Sequence, residues 1–148
     1  MKPTPPGWPR SSSAICYERA SEAIDWLCRA FGFEVRLKVP GENGTVVHSE
    51  LTFGEAIFMV SDLKPDKFPM RKAPSQVGGV NTQGIFVYVD DVEAHCARAR
   101  TAGAKVVVEP TTTDYGEEYW SDRGYECVDL GGHHWWFAER LRTSPKQQ

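Results

Sequence analysis

His48 and Glu50 are the polar side chains whose spacing in this chain best suits chemistry. They lie two residues apart within the run 46–53, which is typical of a β-strand, so both point to the same face. A carboxylate beside an imidazole can orient the ring or favour its protonated form, as a general base or half of a metal site requires. The alternative is an ion pair on a solvated strand face, and the spacing leaves both open.

Other arrangements that often carry chemistry are better explained as structure. Asp90–Asp91 stands directly before an amphipathic run, where carboxylates cap a helix N-terminus. Gly78–Gly79 lacks the following Gly-Lys-Ser pattern of a phosphate-binding loop. The four cysteines have no C-x-x-C spacing, so we expect small buried thiols rather than a zinc or redox site: Cys16, Cys28, Cys96 and Cys127.

The composition is that of a single soluble domain. The chain has 148 residues, 41% of them hydrophobic and 25% charged, which is enough for a core without disulfides. Its 17 basic and 20 acidic residues give a net charge of −3 and form no basic stripe, which argues against binding to nucleic acid. Because no apolar run approaches about 20 residues and the N-terminus has no apolar segment, we expect a cytoplasmic protein that does not enter membranes.

Hydrophobic periodicity predicts the same order of elements twice: strand, helix, then three strands. The first helix is expected to begin near Ser21, whose hydroxyl would cap it, and to end at Gly32. The second is expected to be capped by the pair Asp90–Asp91 and to end at Gly103. The predicted strands are 13–17, 33–39, 46–53, 56–60, 85–89, 105–109, 119–130 with an interruption, and 133–138.

These elements define one domain with a repeated internal plan. The irregular connection between its halves has a length typical of functional loops such as lids. The predicted parts are a proline-rich arm (1–10), a single domain (11–140) with modules at about 11–61 and 83–140 and a connection at 62–82, and a polar tail (141–148).

A shift of 71 residues aligns the two modules in sequence. Six residues between positions 17 and 35 recur unchanged 71 positions later, which indicates a duplicated module, because solenoid repeats are shorter. The identical pairs are Tyr17/Tyr88, Glu22/Glu93, Ala23/Ala94, Arg29/Arg100, Gly32/Gly103 and Val35/Val106.

Four motifs carry a resemblance to a known family: 23–33 in the first module, and 89–92, 102–104 and 129–137 in the second. They are similar to the vicinal oxygen chelate superfamily of glyoxalase I, bleomycin-resistance proteins and extradiol dioxygenases, and look closest to its PhnB-like branch. The resemblance implies an α+β fold in which two tandem βαβββ modules form a curled mixed sheet, an incomplete barrel, around a central cavity. It also implies a homodimer.

The metal-using members of this superfamily hold a divalent ion on four strands. The resemblance places those four positions at Ser12, Met59, Gly84 and Trp136. None of these is a usual ligand for such an ion, which prefers imidazole or carboxylate groups. We therefore expect no metal and no cofactor.

Strand alternation, taken with the resemblance, predicts which side chains line the cavity. Phe86 and Tyr88 alternate with the core residues Ile85 and Val87, so the cavity wall would be largely aromatic, as in sites that stack planar rings. The residues expected to bind a ligand are Met59, Phe86, Tyr88, Trp120, Arg123, Tyr125, His134 and Trp136.

The sequence therefore supports one leading function and two alternatives. The leading one is metal-independent binding of a small, aromatic molecule for sequestration or resistance. The first alternative is a lyase, isomerase or dioxygenase-type enzyme whose site is built around His48 and Glu50. The second is an accessory or dimerisation module with an empty pocket.

Overall fold

The computed structural model describes residues 1–147, and within them the strand–helix–strand–strand–strand order occurs twice. The first module consists of β1 (Ser13–Tyr17), α1 (Ala20–Phe31), β2 (Glu34–Pro40), β3 (Val46–Phe53) and β4 (Ala56–Asp62). The second consists of β5 (Ile85–Tyr88), α2 (Val92–Thr101), β6 (Lys105–Asp114), β7 (Ser121–Val128) and β8 (His134–Arg142). Short 3-10 turns occur at Glu42–Gly44, Pro74–Val77 and Pro145–Gln147.

Each module forms its own four-stranded mixed sheet. The strand orders are β1-β4-β3-β2 and β5-β8-β7-β6, with β1 parallel to β4, β5 parallel to β8, and the other pairs antiparallel. The two sheets are separate and do not close into a barrel. The predicted α+β class and the tandem modules are thereby confirmed.

The helix N-termini are anchored in equivalent ways in the two modules. The amide of Ala20 donates to the Asp62 carboxylate of β4 (3.2 Å), and the amide of Val92 donates to the Glu139 carboxylate of β8 (3.1 Å). Asp91 also caps α2, as predicted. The predicted cap at Ser21 is wrong, because α1 begins one residue earlier and the Ser21 hydroxyl accepts a hydrogen bond from Lys38 instead.

Both sheets pack the faces that carry the helices into one shared core. Phe58 of the first sheet contacts Trp135 of the second with ring centroids 5.4 Å apart, and Phe31 at the end of α1 contacts Phe137 at 4.7 Å. Each sheet therefore has a helix face, turned to this core, and an opposite side, which we call its open face. The open faces are the surfaces on which a binding site can form.

Asp129 links the two modules through a buried hydrogen-bond network. Its carboxylate accepts from the Tyr17 hydroxyl of β1 (2.5 Å), from the Trp135 indole (2.9 Å) and from the amides of Gly131 and His133 (both 2.9 Å). Burial, together with the neighbouring carboxylate, raises the pKa of Tyr17 well above its usual value, so the phenol remains a donor. The network holds β1 against the β7–β8 connection.

His95 of α2 forms a second link between the modules. Its Nε2 lies 3.1 Å from the carbonyl oxygen of Phe31, which can only accept, so Nε2 carries a proton. Its Nδ1 then accepts from the Tyr125 hydroxyl at 2.7 Å. Burial lowers the pKa of His95, which favours this neutral form.

The strand register changes one of the equivalences suggested by the 71-residue shift. Ser13 pairs with Phe58 and Ile85 pairs with Trp135, so β1 and β5 are related by 72 residues. Tyr17 consequently lies in the core, whereas Tyr88 lies on the open face of the second sheet. The two tyrosines share a residue type but not a structural position.

All four cysteines are free thiols, and two of them are buried in the core. Burial raises the pKa of Cys96, and raises that of Cys127 to about 12. Cys16 and Cys28 are half-buried. Separately, no helix within residues 1–147 combines the length and the apolar content needed to cross a bilayer.

Candidate functional site

The open face of the second sheet presents a group of aromatic side chains that were predicted from the sequence. Phe86 of β5 lies directly beside Trp136 of β8, and its ring centroid is 5.0 Å from that of Tyr88. Phe86 and Tyr88 belong to the edge strand of this sheet and remain 51% and 48% exposed. With Trp120 they form what we call the aromatic platform: Phe86, Tyr88, Trp120 and Trp136.

Gly124 of β7 makes room for the Trp136 ring. A β-carbon at this position would lie 2.8 Å from Nε1 of Trp136 and 3.1 Å from the carbonyl oxygen of Phe137. The indole therefore lies close against β7, where any other residue would displace it. A ring held in this way is pre-positioned for stacking against a second flat ring.

Arg140 closes one edge of the platform. Its guanidinium carbon lies 5.1 Å from the Tyr88 ring centroid and 5.3 Å from that of Trp120, within the range of cation–π attraction. Arg140 also forms an ion pair with Asp122 and donates to the Tyr88 hydroxyl. Burial and the Asp122 charge raise the pKa of Tyr88, so its hydroxyl stays protonated and donates to Asp122 at 3.3 Å.

A glutamate stands beside the platform. Glu126 pairs across the strands with Trp136, and its Oε1 lies 2.7 Å from Nδ1 of His134. His134 was predicted from the sequence, whereas Glu126 was not. The two residues are eight positions apart on neighbouring strands, so only the register of β7 against β8 reveals their contact.

The open face of the first sheet has a polar centre instead. Glu50 is only 7% exposed and lies across the strands from Met59. It accepts hydrogen bonds from His48 Nε2 (3.1 Å) and from Arg36 Nε (2.7 Å). Burial alone would raise the pKa of Glu50, but these two bonds and the Arg36 charge outweigh it and lower the pKa, so Glu50 is a carboxylate.

The N-terminal arm lies against this polar centre. The Trp8 ring centroid is 4.8 Å from the Arg36 guanidinium carbon, and the carbonyl oxygen of Gly7 accepts from Arg36 Nη1 at 2.6 Å. Arg36 therefore connects the arm to Glu50. In the sequence, only the presence of one tryptophan among prolines points to this contact.

The structure places two of the predicted ligand-binding residues on the helix face of the second sheet. Tyr125 pairs with Phe137, is completely buried and contacts His95. Arg123 pairs with Glu139 and forms an ion pair with Glu93 of α2 at 2.6 Å. Because both side chains point away from the platform, we leave them out of the proposed site.

The four positions at which the resemblance would place metal ligands do not supply a metal site. Ser12 offers a neutral hydroxyl, Met59 a thioether and Gly84 no side chain, and the Trp136 ring lies against β7. Hard and borderline divalent ions need imidazole or carboxylate ligands. Within residues 1–147 no group of three or more His, Cys, Asp or Glu side chains is arranged to hold an ion.

Three clefts adjoin the open faces near β1 and β5. The first, about 590 Å³, lies between the β3–β4 turn and β5 and includes Phe86 and Tyr88. The second, about 660 Å³, lies between β1 and the connection from β4 to β5. The third, about 420 Å³, is lined by residues 81–84 together with Glu126 and His134. Their volumes suit a small molecule.

The sequence and the fold both match known proteins. Residues 12–137 match the model of the Glyoxalase/Bleomycin resistance protein/Dioxygenase superfamily. An uncharacterized protein of Mycobacterium bovis is 31% identical over 135 residues, which are 90% of this chain and 85% of that protein.

Two solved structures are similar to this chain. TioX from Micromonospora sp. ML1 is 33% identical with a TM-score of 0.66, over 88% of this chain and 99% of TioX. TnmS3, an antibiotic binding protein from Streptomyces sp. CB03234, shares the fold at 19% identity and a TM-score of 0.62, over 86% of this chain and 91% of TnmS3. The extent of the family match and the two relatives above 30% identity show that the chain belongs to the glyoxalase/bleomycin resistance protein/dioxygenase superfamily.

Proposed function

We propose that this protein binds a small planar aromatic molecule on the aromatic platform, without a metal ion, and acts by sequestration or resistance. The observation that carries the proposal is Trp136, whose ring lies against β7 over Gly124 beside the half-exposed Phe86 and Tyr88. Stacking against such rings needs no reactive group and no ion. The lack of suitable donors at Ser12, Met59, Gly84 and Trp136 supports metal independence.

Membership of the superfamily and the neighbouring structures support the same function. TnmS3, which shares the fold, is an antibiotic binding protein. We further propose that the protein acts in the cytoplasm and belongs to the PhnB-like branch, on the motifs at 23–33 and 129–137.

We also propose that the protein works as a homodimer. Among residues 1–147, no hydrogen bond, ion pair or ring contact joins the open face of the first sheet to that of the second. Both helix faces are already occupied by the shared core, so one chain does not bring its two open faces together. A second copy can place its first open face opposite the platform and complete an enclosed site.

Fluorescence titration with 2-naphthamide and acridine, on protein treated with EDTA, tests this function. We expect binding by the wild type, and a loss of about tenfold or more in Trp136→Ala, because stacking on one aromatic side chain contributes roughly 1–3 kcal/mol. Val77→Ala, an exposed apolar residue of the connection between β4 and β5, is the control and should change the affinity less than about threefold.

Two results would contradict the proposal. Unchanged affinity in Trp136→Ala would remove the platform as the site. Binding that disappears with EDTA and returns with Zn²⁺ or Ni²⁺ would show that an ion takes part.

A second candidate function is catalysis at the first open face. A buried carboxylate that orients His48 at 3.1 Å is the arrangement of a general base and its positioning partner. A panel of lyase, isomerase and dioxygenase assays tests it: turnover that falls at least about 100-fold in His48→Ala would support an enzyme. Activity that is absent in the wild type, or unchanged in His48→Ala, would argue against this candidate.

A further inference from the structure

The second cleft is unusual in its charge. Its walls come from β1 and the residues before it, from the connection between β4 and β5, and from His133. The chain has 20 acidic residues and a net charge of −3, yet none of the residues lining this cleft is acidic. The lining contains two full positive charges, on Arg71 and Lys72.

Neither of these cations is neutralised within the described part of the chain. No ion pair among residues 1–147 involves Arg71 or Lys72. The Arg71 guanidinium is positioned by the Phe68 ring, whose centroid lies 4.3 Å from its central carbon. Two adjacent cations without a carboxylate partner create a positive potential in the cleft.

Ser12, in the wall of the same cleft, has an unsatisfied hydroxyl. Its Oγ is the one buried side-chain oxygen or nitrogen within residues 1–147 that has no hydrogen-bond partner. Such a group is rare in folded proteins and destabilises them unless a partner is supplied. An acceptor bound in the cleft would supply the missing partner.

Residues 81–84 form another part of the wall, which this cleft shares with its neighbour. Asn81 donates to the carbonyl oxygen of Gly132 at 2.9 Å and accepts from the amide of His134 at 3.2 Å. Residues 81–84 line both the second cleft and the third, which reaches Glu126 and His134 beside Trp136. The second cleft also shares residues 11–13, 84 and 85 with the first cleft, which includes Phe86 and Tyr88 of the platform.

We propose that the second cleft binds an anionic group, a carboxylate or a phosphate, through Arg71, Lys72 and the Ser12 hydroxyl. Placed beside the platform, it would select aromatic molecules that carry an acidic substituent. The aromatic half of this statement rests on the proposed function, whereas the anionic site stands on the cleft alone.

Inorganic phosphate tests the anionic site without any aromatic group. At constant ionic strength, phosphate should bind the wild type and raise its Tm. The affinity for phosphate should fall about tenfold or more in Arg71→Ala/Lys72→Ala, because hydrogen bonds to charged groups contribute more than those between neutral groups. Arg29→Ala/Lys105→Ala removes two exposed cations elsewhere and should leave phosphate binding unchanged. Equal losses in both double variants would overturn the proposal, since they would indicate general charge attraction.

Ser12→Ala separates a ligand contact from a structural role. Because the hydroxyl has no partner, its removal should not lower the Tm of the free protein, while the affinity for phosphate should fall about threefold. Unchanged phosphate affinity would remove Ser12 from the site.

A pair of aromatic probes distinguishes failure of this proposal from failure of the proposed function. The wild type should bind 2-naphthoate about tenfold more tightly than the neutral 2-naphthamide, and Arg71→Ala/Lys72→Ala should abolish that preference while it leaves 2-naphthamide binding unchanged. Trp136→Ala should weaken both probes equally. Equal affinity of the wild type for the two probes would overturn the selection of acidic aromatic molecules and leave the platform intact. Phosphate binding without any naphthamide binding would contradict the proposed function and leave the anionic site intact.

Discussion

At equivalent positions of the two sheets, the first module has His48 and Met59 where the second has Gly124 and Trp136. Both modules keep a glutamate between these positions, Glu50 or Glu126, hydrogen-bonded to a histidine. On the helix faces β4 and β8 both keep large apolar residues, Phe58 and Val60 in the first module and Trp135 and Phe137 in the second. Packing therefore limits change on the helix faces, whereas the open faces have diverged into a polar centre under an arm and an aromatic platform.

The largest loss of stability should come from substitution of Asp129, because its carboxylate links the two modules. Asp129→Ala leaves the Tyr17 hydroxyl, the Trp135 indole and two amides without an acceptor, and should lower the free energy of unfolding by at least about 3 kcal/mol. Urea unfolding should show one transition for both modules, at lower urea. The exposed Asp66→Ala is the control. A loss below about 1 kcal/mol would contradict a stabilising role for the network.

Gly124→Ala tests whether the two open faces have different roles. The new methyl group would meet the Trp136 ring and the Phe137 carbonyl oxygen, so we expect a loss of about 1–3 kcal/mol in stability and a displaced platform that binds 2-naphthamide more weakly. His48→Ala, at the equivalent position of the first sheet, should change both quantities much less. Calorimetry measures the stability and the titration measures the affinity for 2-naphthamide. Equal effects of Gly124→Ala and His48→Ala on both quantities would mean that the two open faces are not specialised.

His95 should make the contact between the modules sensitive to acid. Its pKa lies below the ordinary 6.5 because burial disfavours the imidazolium, with Arg98 adding repulsion and the bond to Phe31 opposing the shift. The unfolded chain therefore takes up this proton at higher pH than the folded chain. Stabilisation is complete above about pH 6.5 and is lost as the pH falls through the folded pKa.

Melting curves at several pH values check this dependence. Between pH 7.5 and 5, the Tm of the wild type should fall a few degrees further than that of His95→Gln, which can keep both hydrogen bonds without titrating. His134→Gln, beside the platform and away from the contact between the modules, is the matched histidine control and should behave like the wild type. Parallel curves for the wild type and His95→Gln would contradict the interpretation.

The smallest effect should come from the arm. Trp8→Ala removes the ring stacked on Arg36 and should reduce stability by no more than about 1 kcal/mol, because the contact is partly solvated. Trypsin should nevertheless cleave after Arg10 faster than in the wild type, since the arm would be less firmly held. An unchanged cleavage rate, with Thr4→Ala as the control, would show that Trp8 does not anchor the arm.

Much of the fold followed from the sequence, because period-2 and period-3.6 patterns reflect burial directly. Strand alternation placed Phe86, Tyr88 and Trp136 on the open face. Alternation could not place Arg123 and Tyr125, because the pattern over 119–130 was interrupted and the face of β7 depends on its register with β8.

The polar partners in the site were harder to predict. Arg140 was missed because the expected last strand ended at residue 138, whereas β8 continues to Arg142. The contact between Trp8 and Arg36 depends on the path of a proline-rich arm, which no periodicity describes. Contacts between distant segments depend on tertiary packing, so they are visible only in the assembled structure.

The reactivity of the buried thiols of Cys96 and Cys127 measures local opening of this protein. Alkylating reagents react with the thiolate, and burial both shields these sulfur atoms and keeps them protonated. Their modification therefore requires a transient separation of α2 from the second sheet, and the rate at which each becomes labelled measures how often that separation occurs.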